Sequence, residues 1–271
     1  MLEAGDRLVL ADGVVLRDGA LIDSIGQSSW PVNATAAFVL EPSGRMLGEV
    51  ADDVAAAFAL TAETARDDVL AFAWQLNRLA LANVEHRGGR IRHAFAWLRL
   101  AARLAPAGAM PPPTARRRQL DTRTVAGAFG SAAKAGAGRA TALALMAAIT
   151  IGHVGLVAGS PTLLMPLVAG LATGGGVVLH EAAHAAALVG VPSALVVRGR
   201  RVYVLHAPAG ARRRVLVAVA GPGASAALGS VLLAVAFTLG APMLALAGGP
   251  AAAHAVGLSV LASDGRTACG L

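Results

Sequence analysis

Two stretches of this chain are nearly free of charge, and they limit what it can fold into more than any other feature. Between Ala140 and Val197 the only residue from Asp, Glu, Lys and Arg is Glu181, and between Val215 and Ser263 there is none. In water, stretches of that length would lack the solvated face that surface helices and strands need. In lipid they read as successive crossings, each taking about 20 apolar residues for a hydrocarbon core about 30 Å thick. The apolar content comes mainly from Ala, Leu, Val and 32 Gly rather than aromatics, which suits close helix packing in a bilayer. With 56% hydrophobic and 14% charged residues, a disordered chain is excluded. A lone Cys269 excludes an internal disulfide scaffold.

Four spans follow, at about Thr141–Ala158, Leu163–Leu188, Val215–Leu239 and Met243–Leu261, paired by the uncharged turns Gly159-Ser160-Pro161 and Gly240-Ala241-Pro242. The segment Val191–Arg214 holds Arg198, Arg200, Arg201, Arg212, Arg213 and Arg214, so the positive-inside bias makes it cytoplasmic. The same bias draws residues 86–139, with net charge +10, to that side, along with the C-terminus beyond Arg266. Residues 1–85, with net charge −8, follow as a soluble acidic domain. No apolar run preceded by basic residues opens the chain, so no cleaved signal peptide is expected. The fold class predicted is mainly α. It comprises a polytopic four-span bundle in the cell membrane (140–271), an N-terminal α+β winged-helix-like cytoplasmic domain (1–85), and a basic amphipathic, Pro-rich linker (86–139) whose stretch Arg87–Arg123, with the amphipathic run Ile91–Leu104, lies on anionic headgroups. Nucleic acid is not an expected partner, because no base-reading motif accompanies the positive charge.

Within the acidic domain, Arg7–Leu10 and Val14–Arg17 read as strands joined by an Asp12-Gly13 hairpin turn, and Ala20–Ile25 follows Asp18-Gly19 as a third. From Thr35 the apolar spacing lengthens to three and four residues, over Thr35–Leu40, Met46–Phe58 and Glu63–Ala82, with Thr61 as a helix cap. On the opening pattern from Arg7 to Asp18-Gly19, the helix entry Asn33-Ala34-Thr35-Ala36 and the long last helix with Asp67-Asp68-Val69, residues 5–85 resemble PqqD-like peptide-recognition domains. Such domains serve pathways that make ribosomally synthesised, modified peptides. The resemblance implies that a leader peptide adds as a strand beside the third strand and packs on the last helix. Ala20, Leu21, Ile22, Val69 and Phe72 would then bind it. It also implies partners: a precursor peptide, and a transporter or peptide-modifying enzymes.

The strongest chemical signal is His180-Glu181-Ala182-Ala183-His184. On a helix, two imidazoles four residues apart share one face and reach one zinc ion, while Glu181 points to the adjacent sector where a metal-bound water would sit. A bare carboxylate in a bilayer costs about 2.5–3.5 kcal/mol, so Glu181 in a charge-free span calls for a compensating partner. Zinc with one open position takes three protein ligands. Asp264, at the end of the fourth span, falls in the same leaflet as the two histidines, although an Asp-Gly after a helix also reads as a solvated turn. His153 and His254 are further intramembrane polar residues.

His180-Glu181-Ala182-Ala183-His184, Ala220-Gly221-Pro222-Gly223-Ala224-Ser225 and Asp264-Gly265 together resemble the site-2 protease family of intramembrane zinc metalloproteases, over about residues 140–266. The resemblance implies His180, His184 and Asp264 as zinc ligands and Glu181 as catalytic base. Ser225, standing where many members carry Asn, would contact substrate. The function expected is a membrane-embedded zinc endopeptidase cleaving a peptide recruited by the N-terminal domain. The alternative is an inactive membrane protein that binds peptide or assists export.

Overall fold

Turn chemistry sets the architecture of the first 33 residues. Strand β1 (Arg7–Leu10) ends in a turn where Ala11 O accepts the Val14 N–H and Gly13 takes φ +82°. Strand β2 (Val14–Arg17) then reverses into β3 (Ala20–Asp23) through Asp18 and Gly19, whose φ values are +51° and +72°. Two left-handed residues in a row make the tight hairpin whose twist matches its strands. Strand β4 (Ser28–Pro31) pairs antiparallel with the other side of β3, so the sheet order is β2-β3-β4. Strand β1 pairs instead with β5 (Ala82–Glu85), Arg7 opposite Glu85 and Leu10 opposite Ala82.

The computed structural model describes residues 2–41, 44–87, 113–137, 164–198 and 201–253, with the single positions Arg99, Arg103 and Ile149. The chain divides into two compact units, Met1–Gln119 with Val196–Ala207, and Leu120–Leu195 with Pro208–Leu271. In the first, α1 (Ala34–Leu40) is capped by the Asn33 side chain, which accepts the Ala36 N–H at 2.8 Å. Helix α2 (Leu47–Phe58) follows. Helix α3 (Ala62–Arg78) is capped by Thr61, which accepts the Thr64 N–H at 3.2 Å. The buried faces are Val50, Ala51 and Val54 on α2 and Ala65, Val69, Ala73 and Leu76 on α3. They close with Leu8, Val14 and Leu21 on a core that, among the described residues, is drawn from residues 2 to 84. Each fully buried Leu or Val there contributes about 1.5–3 kcal/mol.

Strand β6 (Ala115–Gln119) belongs to the same unit and forms a sheet in the order β6-β7-β8 with β7 (Ser193–Arg198) and β8 (Arg201–His206). Strands β7 and β8 are hydrogen-bonded neighbours in it. Arg117 of β6 is buried against Asp23. Burial pushes the Asp23 carboxyl up, but the Arg117 hydrogen bonds and charge, with the Gly26 and Ile25 amides, outweigh that and hold it below the usual carboxylate range.

Among its described residues the second unit holds the helices α4 (125–137), α5 (Leu164–Ala187), α6 (Ala211–Leu239) and α7 (Pro242–Ala253). Helix α6 stops at Gly240, left-handed at φ +61°, and Pro242 opens α7, the usual division between a glycine terminator and a proline initiator. Its buried stripe of Ala218, Gly221, Pro222, Ser225 and Gly229 consists of small residues, and Val231, Phe237 and Leu239 stand exposed on the remaining surface. Small residues let helix backbones approach. A Cβ placed on Gly229 would lie 2.6 Å from the Ala252 Cα, so α6 and α7 could not pack as they do with a larger residue there.

Four expectations are corrected. The fold is not a mainly α, four-span bundle: the described residues also form three sheets, and among them one helix, Ala211–Leu239, is long and apolar enough to cross a membrane. The second stretch does become α5, but its last two turns carry His180, Glu181 and His184. The fourth stretch is described only as far as Ala253, as a helix of 12 residues. The first stretch lies outside the described residues except for Ile149. Second, Asp12-Gly13 joins two sheets and is not a hairpin turn, because buried Leu8 and Ala82 bring β1 to β5 over the core. Third, Ala20–Asp23 has both edges paired, Leu21 facing Leu16 on one side and Trp30 on the other. A peptide cannot add there, and Leu21 and Val69, at 1% and 2% exposure, are spent on the core. Fourth, the basic stretch is not wholly laid on headgroups, since Arg117 is buried.

Candidate functional site

His180, Glu181 and His184 lie in the last two turns of α5, and the geometry around them is built from α6. His184 is buried, at 8% exposure, while His180 and Glu181 are half-buried. Four residues on a helix make about 1.1 turns, so the two rings stack up one face. Their centroids are 4.6 Å apart, edge to face, and the two Nε2 atoms approach to 3.0 Å. The other nitrogen of His184, Nδ1, is 2.6 Å from the carbonyl oxygen of Val217. A carbonyl only accepts, so Nδ1 carries a proton, and in the neutral ring this leaves the Nε2 lone pair facing His180.

Helix α6 runs antiparallel beside this face. Val217, Gly221 and Ser225 recur every four residues, the first two against His184 and the third eight residues earlier on α5 at Gly176. Val217 meets His184, Gly221 lies against the His184 ring, and the Ser225 hydroxyl donates to the Gly176 carbonyl at 3.4 Å. Gly221 is required sterically: a Cβ there would sit 2.6 Å from Cε1 of His184 and closer still to Nε2. Ser225 is fully buried and ties α6 to α5, one turn before His180. Arg213 closes the end of α5 by donating to the carbonyls of Ala187 and Val189.

The donor set suits zinc in part. Two imidazole nitrogens at 2.0–2.1 Å from a tetrahedral ion stand about 3.3–3.4 Å apart, close to the 3.0 Å separation here, and a histidine held through Nδ1 by a backbone carbonyl is the usual outer support of such a ligand. Among the described residues no third His, Cys, Asp or Glu joins them. Asp264, His153 and His254 lie outside the described residues.

Of the peptide-binding residues expected in the first unit, Ala20 and Ile22 are half-buried on the central strand of their sheet, and Phe72 is half-buried against the core. The outer edges of that sheet belong to β2 and to β4, which ends two residues ahead of Asn33, and among the described residues no further strand pairs with either. Sequence reasoning missed the Val217 carbonyl, for which no side-chain signal exists. It also missed Asn77, which does carry one: a polar residue on the apolar face of α3, eight after Val69 and four after Ala73, with no exposure.

No protein-family model matches the chain, and no curated protein or solved structure matches it.

Proposed function

We propose that the chain is a zinc-dependent endopeptidase held at a membrane by α6, with its N-terminal unit recruiting a peptide substrate. The observation that carries this reading is the convergence of the His180 and His184 Nε2 atoms, with His184 oriented by Val217 O and cleared by Gly221, beside Glu181. His180 and His184 would hold zinc through Nε2, and Asp264 is proposed as the third ligand on the likeness to site-2 proteases. When bound, zinc supplies a Lewis acid that makes water acidic near neutral pH and polarises a peptide carbonyl. Glu181 takes the proton of the attacking water onto its carboxylate and returns it to the leaving amine. The Val217 carbonyl keeps the His184 tautomer fixed through the cycle. Exposed Arg212 and Arg214 support, through the positive-inside bias, a cytoplasmic start of α6. The substrate class proposed is a ribosomally synthesised, modified-peptide precursor, and the open edge of β4 is the strand that would take its leader by β-augmentation.

The test is cleavage of a fluorogenic peptide library by purified wild type and Glu181→Gln in detergent. The wild type is expected to cleave, and Glu181→Gln to keep its zinc and cleave nothing. Equal cleavage by the two would refute the assignment of Glu181.

A further inference from the structure

We infer that the N-terminal unit carries a groove for an extended, arginine-bearing peptide strand, and that the chain's own Ala115–Gln119 occupies it here. The inference is independent of the zinc site. The hydrophobic core cluster of the unit lies within residues 2 to 84, and β6, whose other edge pairs with β7, meets β5 and α3 through buried Ala115 and through hydrogen bonds. Asn77 donates from Nδ2 to Ala115 O at 2.8 Å and accepts the Ala115 N–H at 2.8 Å, while a third bond to Ala82 O fixes its own amide. Asn83 accepts the Arg117 N–H at 2.7 Å and donates to Arg117 O at 3.0 Å. Two side-chain amides thus imitate a neighbouring strand for residues two apart, the repeat of an extended chain. These bonds read backbone and accept many sequences.

Side-chain selection comes from one position. Arg117 reaches Asp23 with two parallel bonds, Nη2 to Oδ1 at 2.6 Å and Nη1 to Oδ2 at 2.8 Å, a forked geometry that lysine cannot reproduce. Asp23 is set beforehand by the amides of Ile25 and Gly26, each at 2.9 Å. A Cβ on Gly26 would come within 2.6 Å of Oδ2, so the carboxylate position depends on that glycine. Two residues earlier, buried Ala115 admits only a small side chain, while Arg116 between them is exposed. The ligand class is therefore an extended strand reading small, any, Arg. The resident is not a perfect fit, because Arg117 Nε is buried with no acceptor among the described residues, which weakens its hold against a competitor.

The experiment uses the full chain and a fluorescent peptide, Thr-Ala-Arg-Arg-Arg-Gln-Leu. Arg117→Met should bind it saturably and at least about tenfold tighter than wild type, whose tethered strand competes at high effective concentration. Adding Asp23→Asn to that variant, or lysine in place of the middle arginine of the peptide, should abolish binding. Hydrogen exchange on the wild type covers the case in which the variant fails to fold. Excess peptide should deprotect the amides of Ala115 and Arg117 while those of the 2–84 core stay protected. Binding by folded Arg117→Met no better than wild type, binding indifferent to Asp23, or unchanged exchange at Ala115 and Arg117 overturns the inference.

Discussion

Gly221→Ala is the smallest change that reaches the candidate metal site without altering any of its polar groups. The added Cβ would stand 2.6 Å from Cε1 and 2.7 Å from Cδ2 of His184, against an ordinary carbon contact of about 3.5–4.0 Å. The ring must therefore shift by about 1 Å. That movement breaks the 2.6 Å bond from Nδ1 to Val217 O and takes Nε2 away from its 3.0 Å approach to His180. Loss of an outer hydrogen bond on a metal-bound histidine lowers metal affinity by about 10–100-fold. Overpacking at this helix contact adds about 1–3 kcal/mol of destabilisation. The assay is zinc competition against a chromophoric chelator, with a thermal melt of the zinc-free protein alongside. Gly223→Ala is the control, since its Cβ would meet only Val219 Cγ1, at an ordinary 3.8 Å. Wild-type zinc affinity in Gly221→Ala, or an equal loss in Gly223→Ala, would refute the reasoning.

Two further outcomes follow from contacts away from the site. The Asp23 carboxyl is held below its unfolded value by Arg117, so the stability it contributes is complete above about pH 4 and falls as pH drops through the lower folded value. Asp23→Asn removes that acid-limb dependence and costs about 3–5 kcal/mol by leaving Arg117 buried without its counter-charge, read from urea unfolding at pH 7 and pH 3. Gly229→Leu forces α6 from α7 at the Ala251–Ala252 backbone and should lower the melting temperature in detergent, whereas Val231→Leu, on the exposed surface, should not.

Local rules made the short elements legible. Asp18-Gly19, Asn33, Thr61, Gly240 and Pro242 each mark a boundary that the structure keeps, because turns and caps are decided by the residues beside them. Pairing was not legible. Strand β1 finds its partner 75 residues away in β5, and β4 interrupts the chain before α1 with Ser28, Ser29 and Pro31, a composition poor in strand formers. Arg117 shows the same limit more sharply. The run Arg116-Arg117-Arg118 reads as part of a basic stretch lying on anionic headgroups, and only tertiary contact with Asp23, 94 residues earlier, buries the middle one. Charge-free composition likewise marked the helices α5, α6 and α7 but not which of them has the length and apolarity of a crossing. At the site, the spacing of His180 and His184 was enough to place both rings on one face, whereas the Val217 carbonyl and the clearance at Gly221 exist only once α6 is packed against α5.

The most direct test of the account is the metal content of the purified full-length protein, measured by plasma mass spectrometry after gel filtration in detergent. The wild type should retain about one zinc per chain, and His180→Ala and His184→Ala should each lose it while keeping wild-type helical content by circular dichroism. Zinc retained at the wild-type level in the folded His180→Ala and His184→Ala variants would contradict the claim that these two histidines form a metal centre.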